Sequence, residues 1–174
     1  MMGATEAEQI TAWVHGRLPE DWFTEAAEVT VDREEITVVG RLERPEGVTD
    51  ETPPEEAREA AVGRISRFRE DTREARIKIA REAEHRFERK VAWGAASGDT
   101  RALFTHVAAP VMTRLRQPER QVLDTLVEAG VARSRADALG WCVRLVGEHT
   151  EDWLGKLREA MSDVQRLRTE GPQV

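Results

Sequence analysis

The cationic side chains of this chain are mostly arginines, and guanidinium groups hold anions. Only three of the 26 cationic residues are lysines: Lys78, Lys90 and Lys156. The planar arginine fork matches phosphate and carboxylate oxygens. Two stretches concentrate it. The first runs from Arg58 to Lys90 and includes Arg64, Arg67, Arg69, Arg73, Arg76, Arg81, Arg86 and Arg89. Glutamates are interleaved there. Glu74 stands four residues before Lys78, and Glu82 four before Arg86. That is the favourable order for helix ion pairs, each worth roughly 0.2–0.5 kcal/mol. Such a face reads as a solvated, salt-bridged surface, with an auxiliary phosphate-contacting face as the second reading. The second stretch, 107–147, holds six arginines against four acids, a net of +2. Arg114, Arg116, Arg120, Arg133 and Arg135 belong to it.

Catalytic patterns are absent from the sequence. His15, His85, His106 and His149 are scattered, and none sits in a metal-ligand spacing. The segment Gly94-Ala95-Ala96-Ser97-Gly98-Asp99-Thr100-Arg101 contains glycine but lacks the Lys-Ser/Thr of a phosphate loop. Cys142 is the sole cysteine, lies on an apolar helix face and has no base near it in sequence. It reads as a small buried residue and excludes an internal disulfide. Tyrosine is missing altogether. The expectation is a protein that is not an enzyme and carries no cofactor and no metal.

Composition limits the rest. The chain has 174 residues, with 40% hydrophobic and 34% charged. That allows one large domain or two small ones with a modest core. No stretch approaches the apolar length of a membrane-spanning helix, and the opening MMGATEAEQI lacks the features of a secretory leader. A cytoplasmic location is the default expectation, or a nucleoid-associated one if the chain binds DNA. The arginine-over-lysine bias, with abundant Ala and Glu, points to a GC-rich bacterial genome. Net charge is −7 and uneven. Residues 1–53 hold 4 basic and 13 acidic residues, a net of −9, whereas 107–174 are neutral. Any attraction to a polyanion must therefore come from a local patch.

The elements that would position these groups follow from periodicity. Ile10, Trp13, Val14 and Leu18 share a helix face. Val29 and Val31, then Ile36 and Val38, alternate with polar residues around Asp32-Arg33-Glu34-Glu35, which predicts strands at 28–32 and 36–43 in a hairpin. Pro54 opens a long helix that runs to about Lys90. Its apolar stripe steps by four and three between Ala61 and Ile79. A coiled-coil seam is one reading. A helix laid across a small sheet is the other, favoured because the stripe is rich in alanine and drifts after under three heptads. Residues 91–106 predict a second hairpin, or a strand followed by a loop, with the turn at Ser97-Gly98-Asp99. Residues 150–168 predict a last helix with Trp153, Leu157, Ala160, Val164 and Leu167 on its apolar face.

Residues 110–147 carry the most specific pattern. A short strand-like run, Val111-Met112-Thr113-Arg114-Leu115, comes first. A helix with Val122, Leu123, Leu126 and Val127 follows, and Gly130 stops it. A second helix starts at Ser134 and carries Ala138, Leu139, Trp141, Cys142, Leu145 and Val146. This order of strand, helix, turn and helix resembles the ribbon-helix-helix family. The match runs without gaps from Arg114-Leu115 to Ala138-Leu139 and covers under a quarter of the chain. Members of that family are mostly dimeric DNA-binding proteins.

The resemblance implies an obligate homodimer in which one strand from each chain pairs antiparallel. Val111, Thr113 and Leu115 would then point inward, and Leu123, Leu126, Leu139, Cys142 and Val143 would fill the shared core. The ribbon would enter the major groove with Arg114 and Met112 facing base edges. Arg114 suits guanine, whereas Met112 reaches only a thymine methyl, and the outward Pro110 donates nothing. Arg116, Arg120, Arg133, Ser134 and Arg135 would meet phosphate, with Ser134 capping the second helix and Asp137 closing the cap.

The expected fold class is α+β. A small domain of a helix, a hairpin and a long helix covers 1–106. A ribbon-helix-helix-like module covers 107–149, and an amphipathic helix with a tail covers 150–174. The expected function is a dimeric DNA-binding protein, a transcriptional regulator or chromosome-associated protein. Its expected partners are DNA, a second copy, and a protein bound through residues 1–106, with no membrane. The alternative is a non-catalytic interaction protein in which the module serves only dimerisation.

Overall fold

The structure is a computed structural model that describes residues 4–171. The expected outer domains also include residues 1–3 and 172–174, which lie outside that range. The described residues form six helices and one four-stranded sheet, an α+β fold. They divide into two compact units, residues 1–109 and 110–174. No described helix is long and apolar enough to cross a membrane.

In the first unit, α1 (Ala4–Arg17) precedes the hairpin of β1 (Glu28–Val31) and β2 (Glu35–Arg41). Asp32 sets the turn. Its Oδ1 accepts from the amides of Glu34 and Glu35 at 2.9 and 2.8 Å, as short carboxylates do in tight turns. Two helices, α2 (Pro54–Asp71) and α3 (Arg73–Phe87), then lead to β3 (Lys90–Ser97) and β4 (Thr100–Leu103). The strand order is β1-β2-β3-β4. The β2–β3 pair is parallel and the other two pairs are antiparallel. The parallel pair requires a long crossover, which α2 and α3 supply.

One sheet face holds the core. Ile36 and Val38 of β2 and Val91 and Trp93 of β3 pack with Ile10, Val14, Ile79 and Ala83 of the helices. Leu42, Ile65, Phe68 and Ala95 extend it. The central strand β3 is buried from Val91 to Ser97. This is why its sequence is a continuous run of small and apolar residues rather than an alternating one. Gly94 is required there, because a Cβ would sit 2.7 Å from the Ala102 carbonyl oxygen.

The structure corrects the expectation of a single helix from Pro54 to Lys90. The helix breaks at Thr72, with φ −97° and ψ 2°. The Thr72 hydroxyl donates back to the Phe68 carbonyl at 2.6 Å, a bond that bends helices. Arg76 then reaches into the bend. Its Nε donates to Thr72 Oγ1 at 2.9 Å and its Nη2 to the Arg69 carbonyl at 2.6 Å. The long stripe thus wraps the sheet in two pieces. Glu82 also departs from expectation, because it bonds both Arg17 Nε (2.5 Å) and Nη2 (2.9 Å) rather than pairing with Arg86. A two-pronged bond to α1 outcompetes a single bond along the helix.

The second unit contains α4 (Gln117–Glu128), α5 (Arg135–His149) and α6 (Glu151–Glu170). Its buried core is small: Leu123, Ala132 and Ala138, flanked by Leu115, Leu126, Val127, Leu139 and Cys142. The expected strand at 111–115 is unpaired in the single chain and has no regular structure. A strand is defined by its partner, and in the expected ribbon that partner belongs to a second copy.

Candidate nucleic-acid interface

The site is built from the start of α4, the α4–α5 turn and the start of α5. Glu119 fixes α4 by accepting from the Arg116 amide at 2.6 Å. Pro118 lies in the first turn, where its missing N–H costs nothing. The helix ends where Gly130 takes φ +75° and the amides of Val131 and Ala132 return to the Leu126 carbonyl at 2.9 and 3.1 Å. The turn brings Ala132 into the core and leaves Arg133 outside.

Ser134 then caps α5. Its Oγ accepts from the Asp137 amide at 3.2 Å, and Asp137 Oδ2 accepts from the Arg133 amide at 2.9 Å. The reciprocal pair locks the helix entry. The first-turn amides of Arg135 and Ala136 have no acceptor within the helix, and the helix dipole makes this end positive. The Arg133 amide and the nearby charges of Arg133 and Arg144 hold the Asp137 carboxyl below the ordinary carboxylate range. It stays ionised and offsets part of that positive end.

The structure separates the arginines by their present engagements. Arg114 is exposed on the unpaired segment. Arg116 is exposed at the N-cap of α4. Arg120 Nη1 donates to the Leu115 carbonyl at 2.6 Å and ties the segment to α4. The Arg133 side chain is 95% exposed, with only a loose 3.7 Å approach to Asp137. Arg135 lies close by but is engaged. Its Nε and Nη2 donate to the two Asp124 oxygens at 2.6 and 2.7 Å. That bond holds Asp124 below the usual carboxylate range and raises Arg135.

The expected shared-core residues also divide. Leu115, Leu123, Leu126, Leu139 and Cys142 already pack within the single chain. Thr113 is exposed, as are Val111 (87%) and Val143 (65%), and so is Met112 (97%), which was expected to face base edges rather than the core. Pro110 is exposed as well.

Two features had no clear signal in the sequence. Arg76 is buried beneath the bend, with its guanidinium 5.1 Å from the Phe104 ring centre. Burial and the neighbouring Arg69 and Arg73 charges lower its proton affinity. Its spacing from Thr72 was readable, but its inward direction was not. The second is a cavity of about 450 Å3 beside the start of α2, lined by Arg44, Arg58, Ser97 and others. The buried Ser97 hydroxyl has no protein partner.

Residues 8–103 match the family model described as the Rv1265-like protein, N-terminal domain, and residues 116–168 match the Mb1296 C-terminal domain. The two matches fall on either side of the division between the units. Among relatives, "Uncharacterized protein Mb1296" of Mycobacterium bovis is 60% identical over 169 residues, covering 97% of this chain and 73% of that one. "Uncharacterized protein Rv1265" of Mycobacterium tuberculosis aligns with the same figures, 60% over 97% and 73%. No solved structure matches the chain.

Proposed function

The chain belongs to the Rv1265-like protein family, and we propose, from the geometry of its C-terminal unit, that it is a dimeric DNA-binding protein acting through that unit. Two unpaired 110–116 segments form a ribbon, and the capped starts of α5 sit on phosphate. The biological role that fits is transcriptional regulation or chromosome association. The first unit serves as a sensor or partner-binding platform.

One observation carries the reading. The capped start of α5 stands beside Arg133, whose side chain is 95% exposed, and a helix start flanked by exposed arginine favours an anion, which supports phosphate there. Two further observations support it. The 110–116 segment makes no pairing of its own, and its Val111 is 87% exposed. Three buried residues are also few for a unit of this size, so a second copy would complete its core. Met112 and Pro110 offer no donor to base edges, which favours the second reading, in which the same module only dimerises, although that reading expects both to be covered and both are exposed in the single chain.

Fluorescence anisotropy with mixed-sequence duplex DNA tests the proposal. Wild type is compared with Arg114→Ala and Arg133→Ala from low to physiological salt. DNA binding predicts salt-weakened affinity. Arg133→Ala should reduce the slope of log K against log salt by about one for each phosphate it no longer neutralises. No binding at low salt would leave the dimerisation reading in its place.

A further inference from the structure

Helix α6 has 20 residues and none of them is buried. Trp153 is 60% exposed, Leu157 42%, Val164 48% and Leu167 63%. With Ala160, they recur at steps of four, three, four and three. The Ala61–Ile79 stripe has the same alternation and packs on the sheet, whereas no position of this one is buried, so it is free to form a coiled-coil seam, in which each apolar position faces a partner helix. A helix that merely covered a globular core would bury this stripe, and this one does not.

We infer that α6 is a self-association helix that pairs antiparallel with α6 of a second copy. Residue sizes select the partner and the direction. Antiparallel alignment centred between Leu157 and Ala160 sets Leu157 against Ala160 of the second copy, and Trp153 against Val164 of the second copy. Each layer then joins a large side chain to a small one, which fills the seam evenly. Parallel alignment would stack Trp153 on its equivalent and leave a gap where Ala160 meets Ala160.

The flanking rows agree. Leu154 and Met161, seven residues apart, lie along one side of the seam and meet each other across the antiparallel pair. Lys156 and Asp163 lie along the other side and meet with opposite charge. Asp163 has an exposed bond of 3.1 Å to Arg166 within its own helix, a pair that exchanges at little cost. This surface lies outside the ribbon segment and the α5 start, and the inference does not depend on DNA binding.

Sedimentation of the full chain over a range of concentrations tests it. Leu157→Glu/Val164→Glu places charges on a face already open to solvent, so circular dichroism should be unchanged. Association should weaken roughly hundredfold or more, because four aliphatic side chains leave the seam of each pair. The charge swap makes the test specific. Lys156→Glu alone and Asp163→Lys alone should each weaken association, and the double swap should restore it. Wild-type association in the Leu157/Val164 variant overturns the inference. So does a double swap that fails to rescue, because only antiparallel pairing of two identical helices joins these two positions.

Discussion

Asp124→Asn tests the proposed interface by strengthening it rather than breaking it. In the single chain the Arg135 fork is held by both Asp124 oxygens at 2.6 and 2.7 Å. Both side chains are open to solvent, 58% and 40% exposed, so the fold loses little when the pair is removed. Asparagine keeps the shape and removes one negative charge per chain. A dimer therefore frees two guanidinium groups beside two helix starts. Each phosphate newly neutralised steepens the slope of log K against log salt by about 0.9, so two should steepen it by about 1.8. Affinity at low salt should rise accordingly. The assay is an anisotropy titration of duplex DNA at several salt concentrations, with a melt of each variant as control. Adding Arg135→Ala to Asp124→Asn should return the slope to the wild-type value. Arg135→Ala alone should change little, because its fork is already occupied. An Asp124→Asn variant that melts normally yet binds with the wild-type slope would refute the placement of the α5 start on phosphate.

Other consequences follow from the packing. Arg76→Ala removes the bonds to Thr72 and to the Arg69 carbonyl at 2.9 and 2.6 Å. It should cost about 2–3 kcal/mol in urea unfolding, with Arg76→Met costing less because the stem still fills the space. Equal midpoints for Arg76→Ala and wild type would mean that Arg76 does not hold the bend. Gly94→Ala drives a Cβ to 2.7 Å from a backbone oxygen of β4, which cannot swing aside. It should destabilise the first unit by roughly 1–3 kcal/mol in a thermal melt, and an unchanged melt would show that the strands part easily. Leu123→Ala, at a side chain only 4% exposed, should cost about 2–5 kcal/mol. Hydrogen exchange should then show protection reduced over 117–149 and kept in β2 and β3, whereas a uniform reduction would mean that the two units do not unfold separately. Arg101 holds the Glu28 carboxyl below its ordinary range through the hydrogen bond between them. Its contribution is complete above the ordinary carboxylate range and disappears as pH falls through the lowered folded value. Arg101→Gln should therefore flatten the acid side of a stability–pH curve, and an unchanged curve would rule the pair out.

Local signals in the sequence were accurate where the physics is local. Asp32 turns the first hairpin, Gly130 ends α4 with a positive φ, and Ser134 caps α5 through Asp137. In each case one residue type meets one backbone need within four positions. Pairings between distant segments could not be read the same way. Glu35 to Arg41 pairs in parallel with Lys90 to Ala96 across both crossover helices. No turn residue announces that choice, and a strand buried along its length has lost the alternation that identifies one. Thr72 likewise looked compatible with a continuous helix, because its bend needs the Arg76 side chain to turn inward. Arg135 showed its charge in the sequence, whereas its engagement by Asp124, eleven residues earlier, depends on how α4 and α5 pack.

The two units differ in how complete they are, and that difference bears on where association occurs. The first covers its sheet with three helices and seats Ile10, Ile36 and Val38 at 1% exposure or less. The second buries only Leu123, Ala132 and Ala138, yet exposes Val111, Val143, Val146, Trp153 and Leu167 by more than half. Exposed apolar side chains on this scale mark an interaction surface. They fall into two groups with different geometry. Val111 lies in a segment with unpaired backbone groups, which a second strand would satisfy. Trp153 and Leu167 lie on a helix whose backbone is already satisfied, which only side-chain packing can cover. One partner surface cannot answer both needs, so the proposed ribbon pairing and the proposed helix pairing would be separate associations. Variants in Val111 and in Leu157 should affect them independently.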